Sequence, residues 1–228
     1  MSRSVVLLLA LAVGCSGGGS SGRDVIPAAS EAETPAVGDR YLIYLHGRII
    51  EDQGPRAIHP RFGMYEYPEI LEAFTSSGFR VSSRQRPAGS RPPEAARDTA
   101  AEVRRLLDAA VPADAITVVG FSKGGMIAVL TAVEVDDPRV NYVFMACCGP
   151  WIDSLFEDPE RRIRGRMLSI FEASDDVGSC AALFAHASAD SVTSEVELHL
   201  GGGHGAFYGP RSGWLEPVVR WARGDDPG

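Results

Sequence analysis

The segment Gly120-Phe121-Ser122-Lys123-Gly124-Gly125 follows directly on the apolar run Ile116-Thr117-Val118-Val119 and precedes a helix-like stretch from Met126 to Val135. A serine with glycines two places to either side, a strand before it and a helix after it, is the G-x-S-x-G bend. The turn is so tight that those flanking positions have little room for side chains, and Gly120 and Gly124 supply the room. The Ser122 hydroxyl is then held between a strand C-terminus and a helix N-terminus. There, free N–H groups and the helix dipole favour developing negative charge. The plainer reading of Ser122 is a cap on the helix that follows.

The rest of the chain alternates in the same way. Strands are expected at Tyr41–Leu45, Phe79–Ser83, Ile116–Phe121, Val140–Cys147, Met167–Ala173 and Val196–Leu200. Helices are expected at Tyr67–Ser77, from Pro92-Pro93 to near Pro112, from Met126 to Val135 and from Trp214 to Trp221. This alternation predicts one α/β domain over residues 40–228, with about six mostly parallel strands and helices on both faces. The Gly- and Pro-bearing stretch Arg48–Tyr65 is expected to be a loop folded over the strand ends, where open α/β sheets place their ligands.

A nucleophilic serine needs a base, an acid to orient that base, and N–H donors for the oxyanion. His204 is the base candidate, because Gly201-Gly202-Gly203-His204-Gly205 lies just past the last strand and lets the backbone swing the imidazole over the sheet edge. His199 falls inside the expected strand, His186 on an amphipathic stretch, His46 on the first strand's exit and His59 in the early loop. Asp175 is the acid candidate, with Asp176 second and Asp153 an outside choice; the plainer reading has both aspartates capping a helix. The expected oxyanion donors are the backbone N–H groups of Lys123 and Arg48. Lys123 is the only lysine of the chain. Its side chain is expected either to add positive potential near an anionic substrate or simply to face solvent.

Leu45-His46-Gly47, Gly120–Gly124, Ser174-Asp175 and Gly203-His204-Gly205 stand in the order of the α/β-hydrolase superfamily, which this chain resembles from about Tyr41 to Ala222. It looks like a small subgroup with a lysine in the elbow. The resemblance implies a minimal α/β-hydrolase fold without the leading antiparallel strands of larger members, and a short Trp151–Gly165 segment where many members carry a lid. It also implies a serine hydrolase, carboxylesterase-like, acting on a small-molecule acyl substrate through Ser122, His204 and Asp175, with no metal and no cofactor. An amidase or peptidase on the same residues is the enzymatic alternative. A hydrolase-fold binding lipoprotein without turnover is the non-enzymatic one.

The first residues read as a targeting segment. Arg3 precedes the apolar run Val5–Val13, which is too short to span a bilayer. Residues 1–14 are expected to be a signal peptide, and Ala12-Val13-Gly14-Cys15 resembles a bacterial lipobox, with Ala12 where a leucine is usual. Cys15 would then carry a lipid, and residues 15–39 would serve as a flexible tether on the bacterial cell envelope. A plain cleaved signal with an incidental cysteine is the alternative. The net charge of −8 makes nucleic acid an unfavourable partner. Export permits disulfides, so Cys147 or Cys148 is expected to bridge to Cys180, unless all three are buried reduced thiols.

Overall fold

Side chains of a strand alternate between two faces, and here the two faces build two separate cores. The computed structural model describes residues 38–158 and 160–228; the expected leader, the Cys15 anchor and most of the tether lie outside them. In chain order the elements are β1 (Arg40–Leu45), α1 (Arg48–Gln53), β2 (Ile58–His59), β3 (Gly63–Met64), α2 (Tyr67–Ser76), β4 (Phe79–Ser82), α3 (Pro92–Asp108), β5 (Ile116–Phe121), α4 (Lys123–Val135), β6 (Asn141–Met145), α5 (Trp151–Leu155), β7 (Arg166–Glu172), α6 (Ala181–Phe184), β8 (Val192–Leu198) and α7 (Ser212–Ala222).

Six strands form one sheet in the order β4-β1-β5-β6-β7-β8, with every neighbouring pair parallel. On one face Leu42, Tyr44, Val119, Phe121 and Val143 pack against Ile70 and Phe74 of α2 and Trp214 and Val218 of α7. On the other, Ile43, Val118, Tyr142 and Phe144 pack against Val103 of α3 and Ile127 and Val129 of α4. α3 buries a single stripe (Ala96, Thr99, Ala100, Val103) at helical spacing and begins with prolines, whose fixed φ suits a helix start. α4 buries residues around most of its girth, as a helix sandwiched between the sheet and α3 must.

The chain steps from β1 outward to β4, returns past β1 to β5, and then runs steadily to β8. The strand order thus reverses between β1 and β5, and a crevice opens at their C-terminal ends. The Gly47 turn and the Ser122 bend both lie there.

Two expectations need correction. The last strand is Val192–Leu198, not Val196–Leu200. It is the sheet edge, and its burial alternates with only Leu198 fully covered. Glu195 and Glu197 on an exposed edge discourage pairing with another chain, and they also erase the apolar run by which a buried strand is recognised. Arg48–Tyr65 is not a loop: it holds α1 and the antiparallel β2–β3 hairpin. These elements are too short to show a period. The Trp151–Gly165 segment contributes the five-residue α5. No helix among the described residues is long and apolar enough to cross a membrane.

Candidate active site

Ser122 occupies φ 55°, ψ −119°, a left-handed conformation that costs a non-glycine residue about 1–3 kcal/mol. Its neighbours enforce it. The Ser122 N–H donates to the Met145 carbonyl at 2.9 Å, and the Ser122 carbonyl accepts from the Met126 N–H at 3.1 Å. A Cβ on Gly120 would lie 2.2 Å from the Gly124 oxygen, and one on Gly124 would lie 1.9 Å from the Leu45 oxygen. Neither position has space for any side chain, so the bend is fixed by backbone packed on backbone.

The bend presents the Ser122 Oγ 2.9 Å from Nε2 of His204, and Nδ1 of that ring lies 2.7 Å from Oδ2 of Asp175. An ionised Asp175 accepts only, so Nδ1 carries the ring proton and Nε2 turns its lone pair to the serine hydroxyl. The second Asp175 oxygen accepts from the Val177 N–H at 3.3 Å. The Asp175 side chain is 6% exposed and that of His204 22%, so the carboxylate is sheltered while the imidazole faces the cleft. The structure therefore brings Ser122, His204 and Asp175 together. Asp176 and Asp153 are exposed.

The other histidines have other surroundings. His46 is fully buried, and its burial, reinforced by the Arg86 charge, lowers its pKa to about 3. His186 lies past the four-residue α6, stacked on Phe156. His199 lies just beyond β8, with three-quarters of its side chain exposed. His59 lines the cleft beside Ser122 and His204 and stacks on Phe62.

Arg48 and Lys123 are each the first residue of a helix, where N–H groups have no intrahelical acceptor. Both border a cleft of about 420 Å³ that also contains Ser122. The Lys123 side chain departs from one expectation: it does not simply face solvent. Its Nζ donates to Oε2 of Glu51 at 2.5 Å, and that carboxylate is fully buried. It is a paired cation at the border of the Ser122 cleft, not a solvated one.

Sequence reasoning missed the clamp that holds the Asp175 and His204 loops together. Glu172, at the end of β7 and 1% exposed, accepts from the N–H groups of Leu200 (2.9 Å) and Gly201 (3.1 Å) and from the Ser174 hydroxyl (3.0 Å). The Ser174 Oγ in turn accepts from the Gly203 N–H at 3.1 Å. Burial alone would push the Glu172 carboxyl up, but these hydrogen bonds prevail and hold it below its ordinary value. The loop bearing Asp175 is thereby tied to the loop bearing His204. Phe62 of the hairpin leans on the same loop: a Cβ at Gly205 would lie 2.7 Å from its Cβ.

Cys148 is bonded to Cys180, and Cys147 is a buried free thiol. Burial raises the pKa of that thiol. The three sulfurs lie within 4.8 Å of one another, a spacing that would suit a metal ion. Two of them are joined in the disulfide, however, and offer no thiolate.

The sequence matches no family model and no curated protein. Solved structures are similar to it in shape. MGS-M1, an α/β hydrolase enzyme from a Medee basin deep-sea metagenome library, superposes with a TM-score of 0.58 at 17% identity, over 81% of this chain and 83% of its own. A predicted CIB-like hydrolase from Thermoplasma acidophilum gives 0.53 at 17% identity, over 81% and 86%. The chain has the α/β-hydrolase fold. It is a minimal version, with six parallel strands. Ser122, Asp175 and His204 lie after β5, β7 and β8, at the strand ends where open α/β sheets place their ligands.

Proposed function

We propose that this protein is a serine hydrolase of carboxylesterase type. The observation that carries the proposal is the unbroken contact from the Ser122 Oγ through the His204 ring to the Asp175 carboxylate, at 2.9 and 2.7 Å. In this scheme His204 takes the hydroxyl proton as Ser122 attacks the acyl carbonyl, then delivers it to the departing alcohol. Asp175 holds the tautomer and stabilises the imidazolium. The N–H groups of Lys123 and Arg48 receive the oxyanion. Water, activated by the same His204, releases the acyl group. No step calls for a metal or a cofactor.

The two sides of the cleft suggest how an ester would lie. Met126, Trp151 and Val177 give one side an apolar wall suited to a small acyl group. Asp52, Gln53 and His59 line the other, which suits a polar alcohol. The setting we propose is the bacterial envelope, with Cys15 lipidated; the Cys148–Cys180 disulfide is in keeping with an exported domain. Palmitate labelling that persists in Cys15→Ala would remove the anchor.

The decisive experiment is labelling with a fluorophosphonate probe, together with hydrolysis of short p-nitrophenyl esters. Wild-type protein is expected to label and turn over, and Ser122→Ala to do neither. A folded wild type that does not label and hydrolyses no ester would replace the enzyme with a binding protein.

A further inference from the structure

We propose that Glu51 is a positioning residue: it locks the turn after β1 to the bend after β5, so that the Arg48 and Lys123 N–H groups face one point. The inference rests on Ser122 being the nucleophile. Glu51 lies within α1, three residues after Arg48, and its side chain is fully buried. One carboxylate oxygen accepts from Nζ of Lys123 at 2.5 Å, the other from Nε of Arg86 at 2.8 Å. Arg86 extends the connection: its Nη2 donates to the His46 carbonyl and its backbone N–H to Nε2 of His46 at 3.0 Å. That contact places the ring proton on Nδ1, which donates to the Gly47 carbonyl at 2.9 Å. A continuous path thus runs from the residue after the nucleophile to the two residues before Arg48.

A role in folding alone accounts poorly for this placement. Burying charged groups is costly, and apolar residues of similar volume often serve stability as well or better. What such a network supplies is fixed geometry, and this one spans the two turns that bear the oxyanion donors. A covalent chain cannot hold them together, because Glu51 and Lys123 are 72 residues apart. Donors placed before the reaction need no reorganisation as the oxyanion forms, and losing one costs about 10²–10³ in kcat.

A rival account gives the cluster an electrostatic role only. With Lys123 and Arg86 positive, Glu51 negative and His46 neutral, it carries a net charge of +1, a favourable field for an oxyanion. The two accounts part on charge. Lys123→Met lowers the cluster charge by one, Glu51→Gln raises it by one, and Glu51→Asp keeps it while shortening the reach. Positioning predicts that all three lower kcat on a p-nitrophenyl ester by about 10- to 100-fold, with KM within about twofold. Affinity for a trifluoromethyl ketone, which binds as a tetrahedral adduct, should fall by the same factor. The double variant Lys123→Met/Glu51→Gln should lose no more than the worse single one.

A field effect would instead slow Lys123→Met, speed Glu51→Gln and leave Glu51→Asp unchanged, which overturns positioning. So does any loss of kcat with ketone affinity unchanged. Assays run below each variant's Tm; if Glu51→Gln does not fold, Glu51→Asp and Lys123→Met decide alone. Wild-type labelling separates the two levels of failure. A labelled wild type with labelled, fast variants refutes positioning only. An unlabelled, inactive wild type refutes Ser122 as nucleophile, and positioning falls with it.

Discussion

Every residue of β5 is buried, whereas in β8 only Leu198 is. Yet the two strands lead into the residues whose side chains meet at 2.9 Å. On the β5 side, the bend itself is set by steric exclusion: backbone packs on backbone around Ser122, and the Glu51 network ties it to the turn after β1. On the β7–β8 side the loops lie at the sheet edge and are partly wet. Position there comes from polar contacts, with the Glu172 carboxylate gathering both loops and a disulfide tying Cys180, shortly after Asp175, to Cys148. Packing and hydrogen bonding thus solve the same placement problem in one molecule. The difference decides which changes destroy the fold and which only the chemistry.

The sharpest break of that comparison uses two glycines. Gly124→Ala places a Cβ 1.9 Å from the Leu45 oxygen, and the expected outcome is loss of soluble folded protein, seen as absence of a cooperative transition by circular dichroism. Gly201→Ala on the other side meets nothing within 4 Å and has only its φ of +70° to oppose it. Its cost should be about 1–2 kcal/mol, read from urea unfolding. Equal damage from the two would erase the contrast between the sides.

Next in size is Asp175→Asn, which acts on chemistry alone. An amide at this position leaves the shape but no longer fixes the proton on Nδ1, and kcat should fall by about 10³–10⁴ with little change in Tm. Asp176→Asn, on an exposed neighbour, should stay within about twofold. A reversed order would move the acid to Asp176 and contradict the 2.7 Å contact of His204.

The same contrast explains what the sequence made legible. Sterically fixed features demand particular residue types at fixed spacing, so Gly120, Ser122 and Gly124 were readable from the chain alone. The alternation of buried strands and helices gave the six-stranded sheet for the same reason. His204 was readable because glycines follow the last strand. Polar clamps leave no such pattern. Glu172 is a single acid at a strand end, and its partners Leu200 and Gly201 lie 28 and 29 residues on. Glu51 joins residues 35 and 72 places away. Edge strand β8 hid its start because alternation with exposed glutamates imitates a loop. The cysteine pairing stayed open because Cys147 and Cys148 leave the same strand; only the packed structure turns Cys147 onto Gly125, where a Cβ would lie 2.5 Å from its own, and leaves Cys148 for Cys180.

That disulfide gives the third test. It closes a loop of 32 residues, which in the chain-entropy account stabilises by about 3–4 kcal/mol. The double variant Cys148→Ser/Cys180→Ser removes it without leaving Cys180 free to pair with Cys147. The expected loss is of that size in urea unfolding, and reduction of the wild type should reproduce it. A loss under about 1 kcal/mol would show that the edge loops need no covalent support.

The smallest expected effect concerns Glu172, and here pH supplies the discrimination. Its carboxyl titrates below its ordinary value of 4.5 in the folded chain. The unfolded chain therefore binds this proton first as pH falls. The stabilisation is fully present above the ordinary carboxyl range and disappears as pH drops through the lowered folded value. Glu172→Gln should cost about 1–3 kcal/mol at pH 7, the range for a hydrogen-bonded charge of this kind. The gap between variant and wild type should then narrow steadily below about pH 4.5, because the wild type loses in acid what the variant never had. Urea unfolding of both from pH 7 to pH 3 reads this directly. Parallel curves would mean that the Leu200, Gly201 and Ser174 contacts work equally well with an uncharged group. The Asp175 and His204 loops would then be held by shape, as the backbone of the Ser122 bend is.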